Sequence, residues 1–174
     1  MTDIDQGDIK QFLESNDSSA FERLLLKYQD KVFNFCYRFL GNEADASDCT
    51  QEIFIRVFQN LHNFRFESKF STWLFRITTN TCKNMKSSKT YRIYQEAVRE
   101  NGTEELANSK FQIANNTPNP QEILQITELK NIFQSALDKM KGKQKTVLIL
   151  RDIEGYSYEE IAEITGLKLG TVRS

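Results

Sequence analysis

The chain has 174 residues, of which 39% are hydrophobic and 27% are charged, and it contains only 7 glycines and 2 prolines. That composition is typical of a soluble globular protein, and the scarcity of glycine and proline favours long helices over many short strands. It excludes a transmembrane helix, because no run approaches 18 apolar residues, and the acidic residues 1–8 do not resemble a signal peptide. We therefore expect an all-α, cytoplasmic protein of one or two small domains, with no membrane insertion.

The net charge of −1 hides an uneven distribution along the chain. Residues 1–64 carry 6 basic and 11 acidic side chains, and residues 93–174 carry 10 basic and 12 acidic ones. Between them, residues 65–92 carry 7 basic side chains against one acidic side chain, a net charge of +6. A basic block inside an otherwise acidic chain predicts an anionic partner for the block and a different partner for the remainder.

Helical periodicity dominates the first half of the chain. Apolar side chains recur at three- and four-residue intervals, and Ser19 and Glu22 have the spacing of a capping box, while Gly41 is a natural helix stop. Together the helices form a bundle able to bury a core, and we take residues 1–92 as one domain. The predicted helices lie near residues 9–12, 19–41, 43–62 and 70–85.

An acidic face is predicted on the outer side of the helix over residues 43–62. It consists of Asp48, Gln51 and Glu52, with Gln59 two turns further on. Paired carboxylates with a bound metal can serve a phosphoryl-transfer enzyme, but no histidine, second acidic cluster or metal-ligand spacing accompanies them. From the residues alone this acidic face is a solvated surface, and no catalytic residue is predicted.

A basic loop and a basic face follow. Arg76, Asn80 and Lys83 share one face of the next helix because they stand at positions i, i+4 and i+7, and we call them the basic face. Aromatic rings can stack on an unpaired base while cations hold the backbone, so the block predicts a nucleic-acid surface. The alternative is a solvated basic helix with the aromatic rings in the core, where we expect Trp73. The basic loop before the helix consists of Phe64, Arg65, Phe66, Glu67, Ser68 and Lys69.

The chain has three cysteines, Cys36, Cys49 and Cys82, each inside a predicted helix. They are odd in number and far apart in sequence, and His62 is the only histidine. These spacings do not fit a zinc site, so we expect reduced core thiols, no metal and no other cofactor.

A polar stretch divides the chain. Residues 93–120 show no sustained period and are predicted to form a flexible linker. Residues 121–174 return to helical periodicity, with an apolar stripe up to Leu137, a further helix closed by Glu154 and Gly155, and two short segments. The sequence thus predicts two small helical domains on a tether.

The last two segments have the spacing of a helix-turn-helix. Ala162 is the small residue where the helices cross, Gly166 tolerates positive φ in the turn, and Val172 anchors the second helix. A helical hairpin with a glycine turn is the alternative. The second helix is expected to begin near Leu169. The residues that it and the turn present to DNA, called here the recognition residues, are Lys168, Thr171, Arg173 and Ser174.

Three features in this order resemble sigma factors of the extracytoplasmic-function class, the small members of the sigma-70 family that keep only regions 2 and 4. The resemblance covers residues 19–92 and 121–174. The motifs that carry it are Asp48-x-x-Gln51-Glu52, then Phe70-Ser71-Thr72-Trp73-Leu74-x-Arg76-Ile77-x-x-Asn80, then the helix-turn-helix after a linker.

The resemblance implies a role for each surface and no enzymatic activity. The acidic face is expected to dock on the clamp coiled coil of the largest subunit of bacterial core RNA polymerase. The basic loop is expected to capture a flipped base of the promoter's minus-ten element, the basic face to hold the melted strand, and the recognition residues to read the minus-thirty-five element. The linker is expected to thread through the polymerase, and an anti-sigma factor is an expected partner.

Two departures from the family pattern qualify these expectations. Family members continue the recognition helix for about two further turns, whereas this chain stops at Ser174, so most minus-thirty-five contacts are expected to be missing. Primary sigma factors carry a Trp pair where this chain has Arg76 and Ile77, so strand separation is expected to depend on base capture. Two alternatives stay open: a free-standing helix-turn-helix regulator, and a polymerase-binding protein without promoter activity.

Overall fold

The computed structural model describes residues 5–15, 17–88 and 120–174, with only the backbone described over residues 120–126. All regular secondary structure in these ranges is helical, as the sequence predicts. The predicted linker lies outside the described residues, apart from residue 120. The helices are α1 (Gln6–Ser15), α2 (Ser18–Leu40), α3 (Glu43–Asn60), α4 (Phe70–Ser87), α5 (Pro120–Asp138), α6 (Gly142–Leu148), α7 (Tyr158–Thr165) and α8 (Leu169–Arg173).

The ends of α2 and α3 are set by local side chains. Asp17 caps α2, because its carboxylate accepts a hydrogen bond from the backbone N–H of Ser19 at 2.9 Å. The predicted capping box of Ser19 and Glu22 is therefore wrong, because the N-cap lies two residues earlier and Ser19 stands inside the first turn. Gly41 ends α2 as predicted, at φ 95°, and its N–H donates to the Tyr37 carbonyl at 2.8 Å. Asn42 then caps α3 through the backbone N–H of Asp45.

Helices α2, α3 and α4 enclose the core of the first domain. Aromatic side chains supply much of this core, and an edge-to-face contact joins Phe35 to Phe75 with ring centroids 5.8 Å apart. Packing of this kind stabilises the bundle through apolar burial. The core side chains that are essentially inaccessible include Leu24, Val32, Phe35, Ile53, Leu61, Phe70, Leu74 and Phe75.

The second domain is smaller. Helix α6 continues into a π-helical turn, Ile149–Ile153, whose Ile149 and Leu150 are buried. Helix α5 differs from the prediction, since of its apolar stripe Leu137 is buried whereas Leu129 is 65% exposed. The stripe therefore does not pack along its length within the described part of the chain. None of the described helices is long and apolar enough to cross a membrane.

The two domains are in contact. The rings of Phe75 on α4 and Tyr156 before α7 lie 5.3 Å apart, and buried residues of both domains form one apolar cluster. The Gln134 side chain of α5 also donates to the Arg38 carbonyl near the end of α2 at 3.3 Å. The second domain therefore rests against the bundle, in particular against α4.

Candidate nucleic-acid interface

The acidic face lies open on α3. Asp48, Gln51 and Glu52 are all exposed. Glu52 accepts a hydrogen bond from Arg56 at 2.6 Å, but both side chains are about half exposed, so this i,i+4 pair contributes little stability. A carboxylate-rich helix face of this kind can receive the cations of a partner protein.

The basic loop is held by aromatic packing. The Phe64 ring is buried, 4.9 Å from the Phe66 ring and 5.4 Å from Trp73. Phe66 has φ 57°, a left-handed conformation that non-glycine residues adopt at a cost of about 1–3 kcal/mol. Burial removes Phe64 from direct contact with a ligand in this arrangement, and leaves it to position the half-buried Phe66.

A groove runs between α3 and α4 beside the basic face. Its volume is about 350 Å³, large enough for a nucleobase. Its wall combines one aromatic ring with amide and cationic side chains, which suits stacking and hydrogen bonding to a base edge. The residues that line it are Arg56, Asn60, Asn63, Trp73, Ile77, Asn80 and Thr81.

Most of this groove escapes prediction from the sequence. Asn80 is the one member of the predicted set that lines it, whereas Trp73 is expected in the core and is only partly buried. Arg56, Asn60 and Asn63 have no motif of their own. Their spacing places these three side chains on one side of the predicted helix and its end. That side is recognisable as part of a groove only once the packing of α3 against α4 is known.

The basic loop and basic face are partly engaged by the second domain. Lys69 Nζ lies 2.7 Å from Glu160 of α7, and Arg76 lies 3.4 Å from Glu163, one turn further along the same helix. The Lys69 hydrogen bond, and then a backbone hydrogen bond at Ser157, lower the pKa of Glu160. One helix of the second domain thus places two carboxylates against the basic loop and the basic face.

The remaining members of the basic face and loop are distributed around this contact. Asn80, Arg65 and Glu67 are exposed, and Ser68 is partly exposed. Lys83 is half-buried, and desolvation, followed by the nearby charge of Lys143, lowers its pKa. Of the predicted basic strip, which consists of the basic loop and the basic face, two cations, Lys69 and Arg76, are paired with carboxylates of the second domain.

The helix-turn-helix is present with the predicted spacing. Ser157 and Glu160 form a capping box at the start of α7, and Gly166 ends that helix in the left-handed region at φ 70°. Val172 of α8 is buried and anchors the short second helix. The four recognition residues are all exposed, and Arg173 pairs with Glu159 at 2.7 Å across the motif.

Comparison with known proteins assigns families to the two domains. Residues 24–91 match the family described as Sigma-70 region 2, and residues 130–174 match the family described as Sigma-70, region 4.

Individual relatives extend over most of the chain. It is 37% identical over 166 residues to the ECF RNA polymerase sigma factor SigW of Bacillus subtilis, covering 95% of this chain and 87% of that protein. It is 39% identical over 155 residues to the ECF RNA polymerase sigma factor SigE of Mycolicibacterium smegmatis, covering 89% of this chain but only 56% of that protein.

Solved structures show the same fold. CnrH, in complex with the cytosolic domain of CnrY, superposes with a TM-score of 0.65 at 22% identity, covering 97% of this chain and 87% of that chain. The sigma factor RpoE of Bartonella quintana, in complex with the anti-sigma factor NepR, gives a TM-score of 0.57 at 21% identity, covering 88% and 87%.

Proposed function

The chain belongs to the sigma-70 family, as an extracytoplasmic-function sigma factor, and from that premise we propose what each of its surfaces binds. Sigma factors are non-enzymatic subunits that direct RNA polymerase to promoters. We propose that this chain joins the core polymerase in the bacterial cytoplasm through the acidic face and holds melted promoter DNA along α4. The observation that carries the proposal is the placement of the acidic face and the basic face on neighbouring helices, with a base-sized groove between them.

Docking on polymerase through α3 is supported by exposure and charge. All three side chains of the acidic face are exposed and stand on a rigid helix that packs along α2 and α4. A partner surface bearing cations gains specificity and association rate from such a face. The net charge of −5 over residues 1–64 argues against DNA as the ligand of this face.

The basic strip and the groove suit the melted minus-ten strand. An extruded base requires an aromatic surface and amide groups within reach of its edge, and Trp73, Asn60 and Asn80 line one groove. The cations of the strip would contact the phosphates on either side. Trapping the base offsets part of the few kcal/mol that each unstacked base costs.

The helix-turn-helix suits the minus-thirty-five element. Its recognition residues are exposed on the short helix α8 and at its two ends, and a second helix of this motif enters the major groove. Arg173 pairs with Glu159 within the motif, so DNA has to replace that carboxylate as its partner.

Strand binding is expected to be strongest once the two domains separate. While they are in contact, Glu160 and Glu163 compete with phosphates for Lys69 and Arg76. Exposed ion pairs contribute only about 0–1 kcal/mol each, and the apolar contact around Tyr156 adds to them. We propose that polymerase offsets the free energy of separating the domains by binding each of them individually. The basic loop and the basic face are then free to contact DNA.

An anti-sigma factor is proposed as the regulating partner. Both structural neighbours above were solved with a second protein bound, and in one of them that protein is an anti-sigma factor. Pull-down with the full chain from its own cell tests for such a partner.

Gel filtration with bacterial core RNA polymerase tests the proposed function. Wild-type chain is expected to elute with the polymerase, and the mixture is expected to initiate on promoter fragments that core polymerase alone does not use. A folded chain that elutes alone at low salt would contradict the proposal and would favour a free-standing regulator.

A further inference from the structure

The three cysteines meet in the core of the first domain. Helices α2, α3 and α4 contribute one each, and the Cys82 Sγ atom lies 3.5 Å from the Sγ atoms of both Cys36 and Cys49. All three sulfur atoms lie within 4.8 Å of one another, and each residue is at most 1% exposed. We expected no metal site because these residues are far apart in sequence, but the bundle brings the three thiols together.

The sulfur spacing fits a shared central atom. A disulfide requires about 2.05 Å between sulfurs, much less than the observed 3.5 Å. Two thiolates on one zinc, with Zn–S bonds of about 2.3 Å in a tetrahedral arrangement, lie about 3.8 Å apart. The cluster is therefore already near the geometry in which three sulfurs bind one ion.

Charge and ligand number select the ion. The cluster offers three thiols and no fourth His, Cys, Asp or Glu among the described residues, whereas structural zinc sites require four ligands. Three thiolates with a monovalent or divalent ion leave net negative charge inside an apolar core, where an unpaired charge is expensive. A trivalent ion bound by three thiolates is neutral and requires no further ligand.

A second groove gives a path to the cluster. It opens between α3 and α4, has a volume of about 390 Å³, and has Cys49 in its wall together with Thr81 and Met85. Two residues of the acidic face, Asp48 and Glu52, also line it. A small uncharged molecule, such as the neutral hydroxo compound of a trivalent ion, can enter such a groove without the cost of bringing a charge into the core.

We propose that Cys36, Cys49 and Cys82 form a trithiol site for a trivalent thiophilic ion, with arsenic(III) as the representative ligand. In the uptake step, arsenous acid, As(OH)₃, exchanges three As–O bonds for three As–S bonds. Each thiol proton leaves with a hydroxide as water, so three waters are released and no atom changes oxidation state. The site goes beyond the proposed transcriptional function and does not depend on it.

A bound ion links three helices through one cysteine of each. An ion bonded to α2, α3 and α4 stabilises the folded bundle, and this stabilisation grows with the logarithm of the ratio of its free concentration to its dissociation constant. The bonds converge directly beneath the helix turn that carries the acidic face. Thermal stability of the whole chain therefore reports binding independently of transcription.

Titration of the reduced full chain with arsenite tests the site. We expect one arsenic per chain by native mass spectrometry, a mass gain of one arsenic less three hydrogens, and loss of all three titratable thiols. Because the chain has no other cysteine, these counts refer to this cluster alone. A raised melting temperature should accompany them. A folded wild-type chain that keeps its three thiols in excess arsenite, or that binds only in urea, would overturn the proposal.

Single replacements provide the matched comparison. Cys36→Ala, Cys49→Ala and Cys82→Ala each leave a dithiol, and binding is expected to weaken at least about a hundredfold in each. Circular dichroism without arsenite selects the variants that fold. If any folded variant binds arsenite as tightly as wild type, the three-thiol site is wrong. Zinc and cadmium are the competing probes, and tighter binding of either would overturn the selection for a trivalent ion.

Discussion

The acidic face on α3 and the basic face on α4 belong to neighbouring helices of one bundle, yet they differ in availability. The acidic face is exposed and its Glu52 pairs only within α3, with Arg56, whereas the exposed Arg76 pairs with Glu163 of the second domain. Charge alone therefore does not decide which surface of a chain is ready to bind. In the isolated chain the proposed polymerase surface is open, and the proposed strand surface is partly occupied by carboxylates of the same molecule.

Reversing a charge on the open face should have the largest effect. Glu52→Arg places a cation where the proposed partner presents cations, and like charges across an interface cost several kcal/mol, so affinity for core polymerase should fall about a hundredfold. Glu22→Arg, an equally exposed reversal on α2, is the control and should bind normally. Equal affinity of both variants for core polymerase would show that the acidic face of α3 does not bind it.

Removing the aromatic wall of the groove should have the next largest effect. Stacking is worth about 1–3 kcal/mol per base, so Trp73→Ala should weaken binding of a single-stranded minus-ten oligonucleotide to the reconstituted holoenzyme about tenfold to a hundredfold. Phe58→Ala, which removes a partly exposed ring elsewhere on α3, is the control. Melting temperatures of both variants separate lost stacking from lost stability, and equal oligonucleotide affinity would argue against the groove.

Removing the two carboxylates that pair with the basic loop and the basic face should have a smaller effect on DNA binding. In the isolated chain, Glu160→Gln together with Glu163→Gln removes both carboxylates from the strip, and glutamine can maintain the capping box at Ser157. Single-strand affinity of the isolated chain should rise a few-fold, since each exposed pair is worth about 0–1 kcal/mol. Glu159→Gln, which breaks the pair with Arg173 and not those with Lys69 and Arg76, should leave this affinity unchanged. No gain in the double variant would mean that the carboxylates do not compete with DNA.

Acid should weaken the same contact slightly. The Lys69 hydrogen bond lowers the pKa of Glu160 in the folded chain, so the folded state favours the ionised carboxylate. Its stabilisation is complete above the ordinary pKa of 4.5 and is lost as pH falls through the lower folded value. Wild type should melt above Glu160→Gln at pH 7, and the two melting temperatures should converge once the pH falls below the lowered pKa of Glu160 in the folded chain. A constant difference at all pH values would exclude this ionisation as the cause.

Short-range chemistry explains what could be predicted from the sequence. Gly41 and Gly166 end their helices because both positions require a left-handed backbone, and the spacing from Ala162 to Val172 is fixed by the crossing of two helices. These features depend on residues a few positions apart. The family resemblance rests on motifs of the same kind and is confirmed by the matches to regions 2 and 4.

Long-range packing explains what could not be predicted. Trp73 reaches a groove rather than the deep core because α3 leaves space beside it, and the three cysteines converge because three helices meet at one level. The pairing of Lys69 with Glu160 joins residues from separate domains. None of these follows from periodicity, since each depends on which helix faces which.

Glu52→Arg and Arg76→Glu should be compared in two assays: affinity for core polymerase, and affinity of the purified holoenzyme for a single-stranded minus-ten oligonucleotide. We expect Glu52→Arg to lose affinity for core polymerase, and Arg76→Glu to keep that affinity but to lose affinity for the oligonucleotide. Loss of polymerase binding by a folded Arg76→Glu variant, or normal polymerase binding by Glu52→Arg, would contradict the proposal that α3 binds polymerase and α4 binds the DNA strand.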